Sequence, residues 1–136
     1  MTRRTRLIYW LVLAFLVLAC IRCGQAHAGE WTTEDKVEET IYQTANFVDL
    51  MQTVYIARHP DKFAESESAY IIGTHPDSAT VYGYMAASGI VHAIGTELLI
   101  QMEAPRWVKR TWQGVTIGDK VNCIRRGISI GIKYEF

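Results

Sequence analysis

The sequence predicts a mainly α protein: a small helical hairpin or bundle of about three helices, with a long tethered connector and a short extended C-terminal tail. Two long helical patterns and their punctuation lead there. Thr33 to Arg58 carries apolar residues every three to four positions. Val81 to Met102 is apolar and rich in small residues. Pro60 and Pro105 follow these patterns, where a proline ends a helix.

Taken in order, the chain of 136 residues has room for one domain after an export segment. Residues 1–28 read as a signal peptide. Arg3, Arg4 and Arg6 make a cationic start, Leu7 to Ile21 is uncharged, and Ala26-His27-Ala28 fits a cleavage site before Gly29. The uncharged run is about 22 Å long as a helix, short of the roughly 30 Å of a bilayer core. The alternatives are an uncleaved anchor and a lipoprotein leader. For the second, Val17-Leu18-Ala19-Cys20 partly matches a lipobox, with Cys20 as the lipidated residue. Residues 29–136 are then a single helical domain.

The first helix starts at a cap on Thr32 or Thr33, and Thr32 with Asp35 has capping-box spacing. Val37, Ile41, Ala45, Val48, Met51 and Tyr55 form an expected buried stripe, joined by a second one of Phe47, Leu50 and Val54. A connector from His59 to Ser78 follows. So long a loop needs tying down, with a turn at Pro60-Asp61 and with Tyr70 to Ile72 packed on the core. The second long helix starts near Asp77 or Ser78 and packs antiparallel to the first. Its Gly89-x-x-x-Ala93 spacing permits close backbone approach. Its twenty residues from Val81 to Ile100 contain only His92 and Glu97 as ionisable groups.

Trp107, Lys109, Arg110 and Trp112 then look like a membrane-interface segment, or like indoles anchored in the core of a short helix with exposed charges. Residues 115–126 suit either a hairpin turning at Gly118-Asp119 or a helix capped by Gly127. The alternating tail from Ile128 reads as one extended strand or arm. It resembles the end of an outer-membrane barrel strand, but two long helices leave no room for a barrel.

Charge narrows the function classes. In residues 29–136, ten basic residues face fourteen acidic ones, a net of −4, and nucleic acid is not expected as a partner. Acidic residues crowd the start of this region and basic residues its end. The basic end can meet an anionic membrane, or, preferably, the acidic helix of its own fold. Beyond the leader Cys123 stands alone, so no disulfide framework exists there, and burial is its expected state.

Asp49, Gln52 and Thr53 are a polar seam inside an apolar half-helix. A buried aspartate needs a partner. The candidates are His75, His92, Arg58 and backbone N–H groups of the connector. The expected role is a polar latch formed by Asp49, Gln52, Thr53, His75 and His92 that pins the connector. No histidine pair has metal-ligand spacing, and no nucleophile elbow surrounds Ser88, so no catalytic residue, metal or cofactor is assigned.

One resemblance rests on spaced residues. Asp49-x-x-Gln52-Thr53, Ile56-Ala57-x-x-Pro60, Glu65, Ile72-Gly73-x-His75-Pro76, Tyr84, His92 and Trp112-Gln113 resemble an uncharacterised family of small membrane or exported proteins of bacteria, phages and prophages. An Asn-Pro in that pattern is replaced here within Ser68 to Ile71. The resemblance covers roughly Trp31 to Gln113. It implies a helical envelope protein and no particular activity. The expected function is therefore a non-enzymatic exported protein of the cell envelope, periplasmic and membrane-associated, partnered by a membrane surface or an envelope protein. The alternative is a small metal-dependent or acid/base hydrolase using Asp49 with a histidine.

Overall fold

A computed structural model describes residues 29–135, and the expectations for the leader, including lipidation at Cys20, lie outside the described residues. Among the described residues four helices follow in order: α1 (Thr33–Arg58), α2 (Ala69–Ile72), α3 (Ser78–Gln101) and α4 (Arg106–Ser129). The mainly α expectation holds, with three long helices and a tethered connector. Helix α1 is the centre and packs along both α3 and α4, which touch each other much less. It runs antiparallel to α3, with Glu39 beside Thr96 at one end and Asn46 bonded to Met85 further down. It runs parallel to α4, with Glu34 beside Arg106 and Asp49 beside Lys120.

Local chemistry sets the ends of α1. The Thr32 hydroxyl accepts from the Asp35 N–H at 3.1 Å, and the Asp35 carboxylate accepts from the Thr32 N–H at 3.0 Å. This is the reciprocal capping box that the spacing predicts, and a cap of this kind is worth about 1 kcal/mol. At the far end the expected turn forms, with the N–H groups of Lys62 and Phe63 both donating to the His59 carbonyl.

The buried face of α1 corrects the apolar stripe. Val37 and Ile41 are about half exposed, at 51% and 48%. The line that faces inward is Asp35, Tyr42, Asp49 and Ile56, seven residues apart, with Asn46 and Thr53 beside it. A spacing of seven keeps one face turned to a neighbour along the whole helix. Polar side chains occupy it because α3 and α4 bring complementary groups to the same levels. The small apolar core, Val54, Val81 and Met85 with Leu50, Ala57, Ile72 and Tyr84 packed on it, sits toward the C-terminal end of α1.

The connector is fastened by Glu65. One oxygen of its buried carboxylate, Oε1, accepts from the N–H groups of Ser66, Glu67 and Ser68 at 2.9–3.1 Å. Its own N–H donates to the Thr74 carbonyl at 2.8 Å. The single turn α2 follows. Only Ile72 reaches the core; Tyr70 and Ile71 are 84% and 57% exposed, contrary to the expected packing of all three. One turn of helix presents about one residue to a given neighbour, and Ile72 takes that place.

Residues 106–129 form one helix, so the hairpin reading is wrong and Gly127 is not a cap. Gln113, Lys120 and Gly127 are its buried positions, again seven apart. Gly127 lies close under Gln52: a Cβ there would be 2.6 Å from Oε1, so the carboxamide would have to shift. The tail beyond α4 is an arm rather than a strand. Its Ile132 is buried, and Glu135 donates its N–H to the Met51 carbonyl and pairs with Arg58 at 3.1 Å.

Candidate functional site

The polar seam of α1 does border the connector, and the two enclose a cavity of about 180 Å³. Asp49, Gln52 and Thr53 form one wall, the connector from Ala64 to Ser68 another, and Lys120, Cys123 and Arg126 of α4 a third. The partner of Asp49 is Lys120, which was not among the candidates. Lys120 Nζ donates to Asp49 Oδ2 at 2.7 Å, a charge-assisted distance, and both residues are buried. Gln52 donates from Nε2 to the Ile124 carbonyl at 3.3 Å, and the Thr53 hydroxyl donates to the Asp49 carbonyl at 3.0 Å. Asp49 and Gln52 therefore fasten α1 to α4, and Glu65, not the seam, fastens the connector.

The expected histidines are elsewhere. His75 is exposed on the connector. His92 is buried nearer the start of α1, its ring stacked on Tyr42 at a centroid distance of 3.4 Å and on Trp112 at 5.3 Å. Its Nε2 lies 2.9 Å from the Thr116 hydroxyl, and its Nδ1 lies 2.9 Å from Oε2 of Glu39, off the line of a straight hydrogen bond. Thr96 joins the cluster by accepting from Trp112 Nε1 at 3.2 Å and Gln113 Nε2 at 3.1 Å. Burial holds the His92 pKa below its ordinary value, against the pull of Glu39. The order Thr116–His92–Glu39 has the connectivity of a nucleophile, base and acid. However, His92 is only 2% exposed and the Thr116 hydroxyl also bonds the Trp112 carbonyl, so the cluster is a packed polar junction between three helices.

The third group of expected residues lies where the acidic start of α1 meets the basic start of α4. Lys109 sits 3.4 Å from Asp35, Arg106 3.1 Å from Glu34, and Arg110 pairs with Glu34 and Glu38. The preferred reading of the charge asymmetry, basic end on acidic helix, is what the fold does. Trp112 is an interior indole. Trp107 is 71% exposed and alone matches the picture of an interface residue.

Burial and mutual charge shift the cavity's titratable groups. Burial pushes the Asp49 carboxyl up, against the nearby ammonium. Burial pulls Lys120 downward, but Asp49 outweighs it, with help from Tyr42 and Tyr84, and the ammonium is held protonated. Burial, then the charges of Asp49, Asp119 and Glu67, push the Cys123 thiol to about 12. A protonated thiol and a protonated amine are poor nucleophiles. Asp49 is bonded to Lys120, and among the described residues no hydrogen bond joins it to a histidine. Among them, no group of three or more His, Cys, Asp or Glu side chains is placed to hold a metal ion.

Sequence reasoning missed Lys120, Glu39 and Thr116, and it named Glu65 in the spaced motif without seeing that it fastens the connector. The period of seven linking Gln113, Lys120 and Gly127 was the available signal, once α4 is read as continuous. Compared with family models, curated proteins and solved structures, the chain finds no match.

Proposed function

We propose that this is a small, non-enzymatic, exported protein of the bacterial cell envelope, of cellular or phage (prophage) origin, that works by contact with a membrane surface or an envelope protein. One observation carries the reading: much of the bundle's interior is polar and much of its apolar surface faces outward. Among the described residues, eleven buried polar or charged residues outnumber eight buried apolar ones, while fifteen large apolar side chains are exposed. Single exposed apolar residues are ordinary. Here they recur on every long helix, as Val37 and Ile41 on α1, Ile90 and Val91 on α3, and Trp107, Val115 and Val121 on α4.

Other features support the same reading. Residues 1–28 have the pattern of an export segment, and the spaced motifs resemble a family of membrane or exported proteins. Helix α3, 24 residues long, is long and apolar enough to cross a membrane by length and composition. A buried helix of a soluble bundle passes the same test, and α3 gives one face, with His92 and Thr96, to its neighbours. The reading is therefore surface attachment, not a span.

The test is fractionation of cells producing the full chain, with intact mass recorded on each fraction. Recovery with membranes, with a mass that begins at Gly29 or carries a lipid at Cys20, is expected. Recovery of the unprocessed chain in the cytosol overturns the export reading, and clean release into the soluble periplasm at physiological salt overturns the membrane attachment.

A further inference from the structure

We propose that the apolar groove between α1 and α3 is the interface of a two-fold dimer, filled by the same face of a second copy of this chain. The inference concerns association of the chain with itself and does not depend on where the protein resides. Gln43, Asn46 and Leu50 of α1 and Tyr82, Gly89 and Ile90 of α3 line the groove. One atom marks it as incomplete in a single copy. Asn46 is 7% exposed, and its Nδ2 donates to the Met85 carbonyl at 3.0 Å. Its Oδ1 is buried and has no hydrogen-bond partner among the described residues. A buried acceptor without a donor is costly, and a hydroxyl or amide of a facing chain offsets that cost.

The glycines of α3 point to a helix as the occupant. Gly89 has a reason inside the chain, since a Cβ there would lie 2.8 Å from Oε1 of Gln43. Gly95 has one as well, beneath Trp112. Gly83 is exposed, and a Cβ there meets nothing within 4 Å. A glycine in mid-helix costs helix propensity, and the use left for this one is close approach of a helix from outside. Ala79 and Ala87, one turn to either side, are exposed too. A low lane therefore runs along α3 beside a crest at Ile90, which is 61% exposed. Lane, crest and groove on one face suit a second copy: the crest of each chain enters the groove of the other, and a two-fold axis uses the same patch twice.

Charge and area agree with that occupant. Between Thr40 and Ala57 of α1 the one Asp, Glu, Lys or Arg is the buried Asp49, and between Ser78 and Thr96 of α3 there is none. A two-fold axis sets like beside like, so an uncharged face meets its copy without repulsion. The same face offers nothing to the charged headgroups of an anionic membrane. At about 1.5 Å per residue the uncharged part of α1 is about 27 Å long, and two packed helices are about 18 Å wide. That is a footprint of about 500 Å², which with the relief of the side chains comes up to the roughly 600 Å² per copy where stable interfaces begin.

The experiment is sedimentation velocity on the full chain without lipid, from about 1 to about 100 μM. A monomer–dimer equilibrium with a Kd of about 10 μM is expected for an interface at the small end of the range. Leucine at position 83 starts from open space in its own chain, so Gly83→Leu should keep its circular dichroism and unfolding near the parent. It blocks the approach of a facing helix and should weaken dimerisation about tenfold or more. Ile90→Lys should do the same by setting a lysine into the facing groove, and it serves as the reading if Gly83→Leu fails to fold. Val115→Lys, exposed on α4 and outside the groove lining, should leave the dimer unchanged. Unchanged association of a folded Gly83→Leu or Ile90→Lys variant overturns the assignment, as does an equal loss in Val115→Lys. A chain that stays monomeric to about 100 μM overturns it too; if that monomer partitions onto phosphatidylcholine vesicles, the face belongs to lipid.

Discussion

Asp49 and Lys120 show what a charge does inside this bundle. Their 2.7 Å contact satisfies each ion but stabilises less than its geometry suggests, because both had to leave water. Removing one partner is another matter. Asp49→Ala should destabilise the fold by about 3–5 kcal/mol in urea unfolding, since it strands a buried ammonium. The double variant Asp49→Leu with Lys120→Met should recover most of that loss. If the single variant is as stable as the parent, the pair has no structural role. His92 makes the second residue-scale prediction. Its pKa is lowered in the folded protein by burial, so between its folded value and the ordinary value near 6.5 the unfolded chain binds more protons. Stability must therefore fall as pH drops through 6.5 toward the folded value. His92→Gln should be less stable at neutral pH yet lose part of this slope, measured by urea unfolding across that pH range. Glu39, Tyr42, Thr96, Thr116 and Trp112, which surround the ring, are unchanged in that comparison.

At the scale of the element, the helices were legible where local chemistry alone decides them. The cap at Thr32, the stop at Pro60 and the start of α3 at Asp77, whose side chain accepts from the Thr80 N–H, all follow from residues within one turn. The inward face of α1 was not legible. Apolar spacing selects Val37 and Ile41, whereas burial follows Asp35, Tyr42 and Asp49, whose partners Lys109, Ser88 and Lys120 lie 46 to 74 residues away. The site failed to appear for the same reason: Lys120 is one lysine on a helix with no local sign that it is buried. Helix α4 was ambiguous because three glycines lower its propensity, and packing on α1 overrides them. Those glycines are not equivalent, which makes a prediction. A Cβ at Gly114 or Gly118 meets nothing within 4 Å, so Gly114→Ala and Gly118→Ala should each raise stability by about 0.5–1 kcal/mol. At Gly127 the Gln52 carboxamide blocks the new methyl at 2.6 Å, so Gly127→Ala should lower the melting temperature. A uniform response across the three would mean that α4 does not bear on Gln52 as described.

For the whole molecule, the question is what an outward-facing apolar surface is for. Many interior contacts here are paired charges and hydrogen bonds, from Lys109–Asp35 at one end of the bundle through His92 to Lys120–Asp49. The outer apolar residues are therefore spare with respect to folding, and the two properties separate by mutation. Substitution of exposed Ile41, Ile90 and Val115 by lysine removes apolar surface from each long helix and touches none of the buried pairs. Surface changes of this kind lie within about 0.5 kcal/mol each, so urea unfolding should stay near the parent. If the proposed surface attachment is right, the same triple variant should lose recovery with membranes, or lose its envelope partner in cross-linking, while its circular dichroism remains helical. Trp107 gives a local reading of the membrane case. It is 71% exposed, whereas Trp112 is held against His92, so a blue shift on adding anionic vesicles should disappear in Trp107→Phe and persist in Trp112→Phe. Unchanged membrane recovery of the folded triple variant would place the attachment elsewhere in the chain. Recovery lost together with the fold would mean that the outer residues hold up the bundle, and that its polar interior does not suffice alone.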